Sequence, residues 1–224
     1  MNQRLFELYT NLKIQNKDSF LNNRLELDID WGSETWGVTF QIDLDSQARD
    51  ALCRIQDELD LLEPGNFLLL PRAYQHISVN QVIFWNGDYV KGKKETWREI
   101  EAEFLQRAGE LNLRQRSFPI TFKELLATKS GIIWCAYDEA DEMEKLRELL
   151  FQKLPFPFET TKKNHIVHTT VARYRKLLND PQKVWDYLNS VNPKSTMSVN
   201  KLILRKELVY PSIKTKTIAE LRLT

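Results

Sequence analysis

The sequence predicts an α+β fold in which two βαβ-like lobes pack as one body. Segments that alternate apolar and polar residues, as half-buried strands do, are interspersed with segments whose apolar residues share one helical face. This order of segments occurs twice along the chain, although the two occurrences have little sequence in common. No low-complexity linker separates them. We therefore expect one shared body with a two-fold arrangement, in which the histidine-bearing strands meet at the centre.

The first occurrence begins close to Trp36. Its predicted elements are a strand over 36–43, a helix that Pro64-Gly65 ends, a strand-like stretch over 67–85, a helix over 97–111 and a strand over 117–126. Ser46 precedes the first helix, and we expect its hydroxyl to be the N-cap. Pro71 interrupts the strand-like stretch, because proline has no N–H for the strand ladder.

The second occurrence repeats that order. Its predicted elements are a strand over 131–137, a helix that stops before Pro155, a strand-like stretch over 164–174, a helix that Asp180-Pro181 begins, and strands over 198–210 and 217–223. The distance from the first strand to the histidine is similar in the two occurrences, 76 − 36 = 40 residues and 168 − 132 = 36 residues. This correspondence favours a duplicated unit.

Residues 1–34 lie outside the repeat and are predicted to be an N-terminal extension, whereas 35–224 form the bilobal domain. Leu5, Leu8 and Leu12 fall on one face of a short helix. We expect this helix to pack on a lobe rather than to cover a site.

The composition is typical of a soluble globular protein, with 42% hydrophobic and 28% charged residues. No apolar run approaches the roughly 20 residues needed to span a bilayer. The N-terminus lacks the apolar region of a secretory signal. We therefore expect a cytosolic protein without a membrane partner. The sequence leaves the oligomeric state open, and a monomer is favoured.

The net charge of +1 excludes a global basic field for gripping duplex nucleic acid. Basic residues nevertheless cluster around one of the histidine segments, at Lys162, Lys163, Arg173, Arg175 and Lys176. This cluster is consistent with a local anion site, although the two lysines also fit a solvated loop. Cys53 and Cys135 belong to no metal-ligand spacing, so we expect buried free thiols.

Two of the three histidines are followed, two residues later, by a hydroxyl residue: His76 by Ser78 and His168 by Thr170. On a strand, positions i and i+2 point to the same face, so each imidazole lies beside its hydroxyl. A single pair of this kind is commonplace and usually structural. Two pairs at corresponding positions of a duplicated chain indicate one site, with these four residues as the candidate catalytic groups.

These residue types suit phosphodiester hydrolysis. One neutral imidazole takes a proton from the attacking water, and a protonated imidazole gives a proton to the departing oxygen. Two hydroxyls can donate to the non-bridging oxygens as charge shifts in the transition state. Proton transfer of this kind requires no metal, and we expect no metal and no other cofactor.

The repeated pattern His-apolar-Ser/Thr-apolar resembles that of the 2H phosphoesterase superfamily, which includes the bacterial 2′-5′ RNA ligase-like proteins and the 2′,3′-cyclic phosphodiesterases. The second motif, His168-Thr169-Thr170-Val171-Ala172-Arg173, is similar to the family's His-x-Thr-apolar-x-Arg form. The first motif carries Ser78 where threonine is also common. The resemblance covers about residues 35–224, and the N-terminal stretch departs from the shorter members.

The resemblance implies antiparallel sheets around a central cleft and metal-independent catalysis. The implied substrates are 2′,3′-cyclic or 2′-5′-linked phosphodiesters, so the expected partner is a nucleotide or an RNA terminus. It also favours Arg173 as a phosphate ligand. Strand geometry alone opposes that role, because Arg173 lies five residues after His168 and a straight strand would turn it away. Arg173 reaches the phosphate only if the strand ends or bulges near Ala172.

Tyr74 shares the face of His76 on an unbroken strand and is the second candidate substrate-binding residue, by stacking on a base or bonding a phosphate. Trp85, Trp134 and Tyr210 are further stacking candidates, for which packing is the favoured interpretation. His165 lies three residues before His168, so strand alternation predicts a structural role on the opposite face.

The leading hypothesis is an enzyme that opens or forms phosphodiesters. The alternatives are a non-catalytic nucleotide- or RNA-binding module that retained the fold, and a structural protein whose histidines are buried by packing. Both motifs are intact, which favours the enzyme. The sequence leaves open whether the reaction is hydrolysis or ligation, and which histidine is the acid.

Overall fold

A computed structural model of the protein describes residues 2–111, 117–160 and 165–223. The helices are α1 (Gln3–Leu21), α2 (Ser46–Leu62), α3 (Lys93–Glu110), α4 (Glu142–Lys153) and α5 (Pro181–Ser190). The strands are β1 (Glu34–Asp43), β2 (Phe67–Leu69), β3 (His76–Ile83), β4 (Phe118–Thr128), β5 (Gly131–Tyr137), β6 (His168–Tyr174), β7 (Ser195–Val199), β8 (Lys201–Val209) and β9 (Lys214–Arg222). A 3₁₀ turn at Arg72–Tyr74 immediately precedes β3.

The strands form one sheet in the order β7-β4-β5-β6-β3-β1-β8-β9, with β2 paired to β6. Each pairing between the described strands is antiparallel. The predicted α+β class with antiparallel sheets is confirmed. The two histidine strands, β3 and β6, are neighbours at the middle of this order, which is the central position expected from a two-fold arrangement.

The two halves of the chain exchange their third strand. Strand β4, from the first half, pairs with β5, and β8, from the second half, pairs with β1. The order β4-β5-β6 on one side is therefore matched by β8-β1-β3 on the other. The connecting helices cross over as well, since α2 packs against β6 and β7 while α4 packs against β3. Each side of the sheet consequently contains segments from both halves of the chain.

Helix α2 has the apolar face that its sequence predicts, with Leu52, Ile55 and Leu59 buried. The predicted N-cap is wrong by one residue. Asp45 is the cap, and its carboxylate accepts a hydrogen bond from the Ala48 N–H at 2.8 Å. A carboxylate also benefits from the positive end of the helix dipole, and Ser46 is instead the first helical residue.

Helix α1 is part of the hydrophobic core. It packs against β4 and α5. The Tyr9 hydroxyl lies 2.8 Å from the carbonyl oxygen of Ala136 and 2.7 Å from that of Val167, and it accepts a hydrogen bond from the Val167 N–H at 3.0 Å. These contacts hold the residue that immediately precedes His168.

Several segments differ from the sequence-based expectation. The stretch over 67–85 is divided into β2, the 3₁₀ turn and β3, and the expected strand over 198–210 is divided into β7 and β8 at Asn200. Strand β6 begins only at His168, so alternation does not govern the exposed His165. Cys135 is buried as expected, but Cys53 is partly exposed. Lys162 and Lys163 lie outside the described residues.

No helix in the described part of the chain is both long and apolar enough to cross a membrane.

Candidate active site

The pairing of β3 with β6 brings the two histidine motifs together. Ile77 lies opposite Thr169, and both are buried. Because side chains alternate along a strand, the flanking residues point to the other face of the sheet. Antiparallel pairing sets the residue after Ile77 opposite the residue before Thr169. The resulting cross-strand neighbours are His76 with Thr170 and Ser78 with His168.

Each imidazole therefore lies beside the hydroxyl of the other motif. Directly opposite residues of an antiparallel pair have Cβ atoms about 5 Å apart, and diagonal neighbours are about 7–8 Å apart. The two imidazoles occupy one diagonal of this group, and the two hydroxyls occupy the other.

Strand β6 contains a β-bulge directly after its motif. Ile133 pairs with Thr170 and Ile132 pairs with Ala172, which leaves Val171 as an extra residue. Val171 and Ala172 are both buried, and the alternation resumes with its phase reversed. The bulge turns Arg173 back to the face of His168, which resolves the conflict between strand parity and the family resemblance.

Strand β3 contains the same bulge at the same position. Gln41 pairs with Ser78 and Phe40 pairs with Asn80, which leaves Val79 as the extra residue. The burial patterns of β3 and β6 are identical over their first seven positions. Gln81 therefore corresponds to Arg173, since each follows its histidine by five residues. Sequence reasoning missed Gln81, although the spacing 76 + 5 = 81 and 168 + 5 = 173 was available.

Both bulges are held by polar side chains from the crossing helices. A bulge interrupts the ladder, and a buried carbonyl oxygen without a partner is costly. On α2, Gln56 donates from Nε2 to the Val171 carbonyl oxygen at 2.8 Å. On α4, Arg147 donates from Nε to the Val79 carbonyl oxygen at 3.1 Å and from Nη2 to the Ile166 carbonyl oxygen at 2.8 Å. Each half of the chain thus fixes the bulge of the other half.

The motifs open onto a cavity of about 220 Å³. Its lining residues come from both lobes: Leu70, His76, Ser78, Gln81, Trp85, His168, Thr170, Arg173, Glu207, Tyr210, Pro211 and Ser212. All four predicted catalytic residues and Arg173 are among them. The structure does not place Tyr74 in this lining, because β3 begins at His76 and Tyr74 belongs to the 3₁₀ turn, where strand alternation does not apply.

The predicted stacking candidates separate into two groups. Trp85 and Tyr210 line the cavity, with ring centroids 4.1 Å apart. Trp134 is completely buried, and its indole N–H donates to the Pro193 carbonyl oxygen at 3.3 Å. Trp134 is therefore a core residue, while the other two are available to a ligand.

The ring orientation of His76 is set by its own backbone. Its Nδ1 lies 2.7 Å from the Tyr74 carbonyl oxygen. A carbonyl only accepts, so Nδ1 carries the hydrogen and Nε2 is the atom that exchanges a proton. Burial and the positive charge of Arg205 lower the pKa of His76, while the Tyr74 carbonyl and the negative charge of Asp43 oppose that shift.

Asp43 and Arg205 form an ion pair next to His76. Asp43 lies opposite His76 in the β1–β3 register. The Arg205 guanidinium donates to both carboxylate oxygens, at 2.6 and 2.8 Å. Burial opposes ionisation of Asp43, but the hydrogen bonds and charge of Arg205 outweigh it, so the pKa of Asp43 lies below its ordinary value. His76 consequently has an ionised carboxylate nearby.

His168 has a different electrostatic environment. Burial, assisted by the charges of Arg173, Arg147 and His76, lowers the pKa of His168 to about 3. Within the described part of the chain, no hydrogen bond to its ring nitrogens supports the protonated form. His168 is therefore neutral at physiological pH, whereas His76 retains a carboxylate that favours its protonated form.

Arg173 is only partly committed to protein contacts. Its Nη1 donates to the Ser130 carbonyl oxygen at 3.2 Å and to the Ser130 hydroxyl at 3.1 Å. Its Nε is buried without a hydrogen-bond partner. Glycine at position 131 permits the close approach of this segment to Ala172 and Arg173. A Cβ there would lie 2.4 Å from the Ala172 carbonyl oxygen and 3.0 Å from Cδ of Arg173.

Glu207 contributes a buried carboxyl to the cavity wall. Its Oε1 accepts a hydrogen bond from the Ser212 hydroxyl and lies 3.4 Å from Nε2 of Gln41. Burial raises the pKa of Glu207, although those two contacts oppose the shift. Like Asp43 and Arg205, Glu207 lies outside the motifs and reaches the site only through long-range strand pairing. Local sequence patterns therefore do not predict it as a site residue.

Solved structures share this fold. E. coli LigT without a ligand is 14% identical to this chain, covers 86% of this chain and 99% of its own, and gives a TM-score of 0.60. LigT complexed with 3′-AMP gives the same identity and coverage with a TM-score of 0.57. A phosphoesterase is 13% identical over 84% of this chain and 99% of its own, with a TM-score of 0.60. No protein-family model and no curated protein sequence matches the chain.

The chain therefore shares the fold of E. coli LigT and of this phosphoesterase. The fold predicted from the two motifs is confirmed by these structures. Identities of 13–14% establish the fold alone.

Proposed function

We propose that this protein is a 2H phosphodiesterase that acts, without a metal, on 2′,3′-cyclic or 2′-5′-linked phosphodiesters of nucleotides or RNA. The observation that carries this proposal is the convergence of both His–hydroxyl pairs and an arginine on one cavity. Phosphodiester hydrolysis needs a proton acceptor, a proton donor and hydrogen-bond donors for the non-bridging oxygens. LigT structures with 3′-AMP, ATP and phosphate support nucleotides as the ligand class.

The two histidines divide the proton transfers between them. His168 is the weaker base but is neutral under physiological conditions, and it accepts a proton from the water that attacks phosphorus. Burial lowers the pKa of His76, but the Asp43 charge opposes that shift, and we assign His76 as the group that gives a proton from Nε2 to the ribose oxygen as its bond to phosphorus breaks. The protons therefore balance, and the pair returns to its starting state after one proton exchange with solvent.

Charge on the phosphate is handled by the remaining groups. Ser78 and Thr170 donate to the non-bridging oxygens, which carry more charge in the transition state than in the substrate. Arg173 lines the cavity and supplies the positive charge. Arg173→Lys should therefore weaken kcat/KM by about 10–100-fold, because an ammonium cannot reproduce the guanidinium fork.

The test is a substrate screen of the purified protein with EDTA present. The panel contains nucleoside 2′,3′-cyclic phosphates, 2′-5′-linked oligonucleotides and ADP-ribose cyclic phosphate. Turnover that survives EDTA and disappears in His76→Ala and His168→Ala would support the proposal. Activity that is lost on chelation and restored by zinc or magnesium would contradict the metal-independent mechanism.

Binding must be measured beside turnover. Histidine NMR signals should shift when 3′-AMP is added, because a phosphate between the imidazoles favours their protonated forms. Tight binding without turnover on any member of the panel would favour the non-catalytic binding module instead.

A further inference from the structure

At the cavity-facing positions, the two motifs match in chemical type at the histidine and at the hydroxyl two residues later, and they differ five residues after the histidine. Both strands carry a histidine, a hydroxyl and a bulge at the same spacing. The bulge then directs one further side chain into the cavity, Gln81 from β3 and Arg173 from β6. One side chain of this pair is a permanent cation, and the other is a neutral amide with a donor and an acceptor.

The Gln81 amide is available to a ligand. Three buried glutamines serve for comparison with it. The side-chain amides of Gln41, Gln56 and Gln75 all donate hydrogen bonds to protein atoms. The Gln81 side chain makes no hydrogen bond to any residue in the part of the chain that the structure describes, and it is partly exposed where it lines the cavity. An amide that faces a polar cavity without a protein partner is suited to contact a bound molecule.

The surroundings of Gln81 suit an uncharged group. Trp85 follows β3 and lines the same cavity, with its ring against Tyr210. Glu207 also lines this cavity, and burial raises the pKa of its carboxyl. Glycine at position 37 leaves room for the Glu207 carboxyl, because a Cβ there would lie 2.8 Å from Oε2 of Glu207. This end of the cavity offers an aromatic surface and neutral or acidic hydrogen-bonding groups, and a second phosphate would be disfavoured there.

We infer that Gln81 is a specificity-determining residue, the two-fold counterpart of Arg173, which hydrogen-bonds the uncharged nucleoside part of the substrate. This inference rests on the proposed function. The phosphate lies toward Arg173, and the amide edge of a nucleobase or a ribose hydroxyl lies toward Gln81. A cavity built from a duplicated unit would otherwise accept a phosphodiester in two opposite directions, and the difference between an amide and a guanidinium selects one of them.

An exchange of the two side chains tests the two-fold relation. Arg173→Gln should lower kcat/KM by about 10–100-fold, since it removes a charged hydrogen bond to phosphate. Arg173→Gln should also weaken 3′-AMP binding, and the double variant Q81R/R173Q should recover at least several-fold of that loss of affinity, because it restores one arginine at the equivalent position. No recovery in a folded double variant would overturn the counterpart relation. Thermal melting checks the fold of each variant.

The contact itself is tested with Gln81→Leu, which keeps the size and removes the amide. Loss of a hydrogen bond to a neutral group should lower kcat/KM by about three- to tenfold on nucleoside 2′,3′-cyclic phosphates. Ribose 2′,3′-cyclic phosphate, which lacks a base, distinguishes a contact to the base from a contact to the ribose. If Gln81→Leu and wild type have the same kcat/KM on this substrate, the contact is to the base. If Gln81→Leu loses as much as it does on the nucleoside substrates, the contact is to the ribose. Gln106→Leu, on the exposed face of α3, is the matched control.

The outcome remains interpretable if the wild-type protein turns over no substrate. That result would overturn the proposed function and leave the contact testable by calorimetry with 3′-AMP. Gln81→Leu should then weaken binding by about three- to tenfold relative to Gln106→Leu. Equal affinity in the wild type and in Gln81→Leu would place Gln81 outside the reach of a nucleotide and overturn the inference.

Discussion

The two histidine motifs share a register, a bulge and a cavity, but they differ in what surrounds each imidazole. His76 has a carbonyl oxygen on Nδ1 and the Asp43 carboxylate nearby. His168 has two arginines nearby and a pKa lowered to about 3. The comparison indicates that duplication supplies the geometry, whereas divergence of the neighbours gives two identical side chains different affinities for a proton. Acid–base catalysis by a histidine pair needs one imidazole neutral and the other protonated at the same moment.

The largest expected effect comes from deleting either imidazole. His76→Ala and His168→Ala should each reduce turnover on the order of 10²–10⁴-fold, the usual range for a general acid or base. The double variant should lose far less than the product of the two, since groups that act together are not additive. His165→Ala, at an exposed position outside the cavity lining, is the control. Near-normal turnover in either folded single variant would refute the two-histidine mechanism.

The bulges provide a second comparison between the halves. Gln56→Leu and Arg147→Met each remove the side chain that bonds a bulge carbonyl, and each should destabilise the protein by about 1–3 kcal/mol. Gln56→Leu should also reduce turnover, because its bulge positions Arg173. Urea unfolding and the kinetics of both variants measure these effects, with the exposed Arg98→Met as control. Unchanged stability in both variants would show that the bulges persist without these bonds.

Many of the helices and strands can be predicted from local sequence, because local patterns determine local structure. The helix faces, the strand at each motif and the shared face of His76 with Ser78 depend on residues a few positions apart. The sequence pattern predicts Tyr74 on the strand, because it does not indicate the 3₁₀ turn at Arg72–Tyr74. That segment lies between Pro71 and the first ladder residue, and its geometry depends on neighbouring elements.

The parts of the site that escaped prediction are nonlocal. The exchange of β4 and β8 between the lobes places Asp43, Arg205 and Glu207 near the cavity, and their partners lie more than 150 residues away along the chain. The bulge at Val171 follows from strand pairing and from a bond to Gln56, and neither is visible as a pattern. Gln81 is the exception. It follows His76 by five residues, as Arg173 follows His168, so a position-by-position comparison of the two motifs in the sequence identifies it.

The difference in proton affinity also predicts how stability depends on pH. Burial and nearby arginines keep His168 neutral in the folded protein, while in the unfolded chain it titrates near the ordinary value of 6.5. The unfolded state therefore binds more protons between pH 6.5 and about 3, and stability falls as the pH falls through that window. Urea unfolding at several pH values should show a shallower acid loss in His168→Asn than in wild type or His165→Asn. An identical pH dependence in all three proteins would contradict the shift.

The smallest expected effect tests whether the difference between Ser78 and Thr170 has any functional meaning. Ser78→Thr makes the two motifs alike at this position and keeps the hydroxyl that donates to the phosphate. Threonine is also well suited to a strand, since its branched side chain has restricted rotamers there. Turnover should stay within about twofold of wild type, whereas Ser78→Ala should lose about tenfold or more because a donor to the transition state is removed. Steady-state kinetics of the two variants on one substrate, with melting temperatures as the check on folding, make the measurement. A large loss in Ser78→Thr with an intact fold would mean that the cavity beside His168 has no room for a methyl group, and that serine rather than any hydroxyl is required in the first motif.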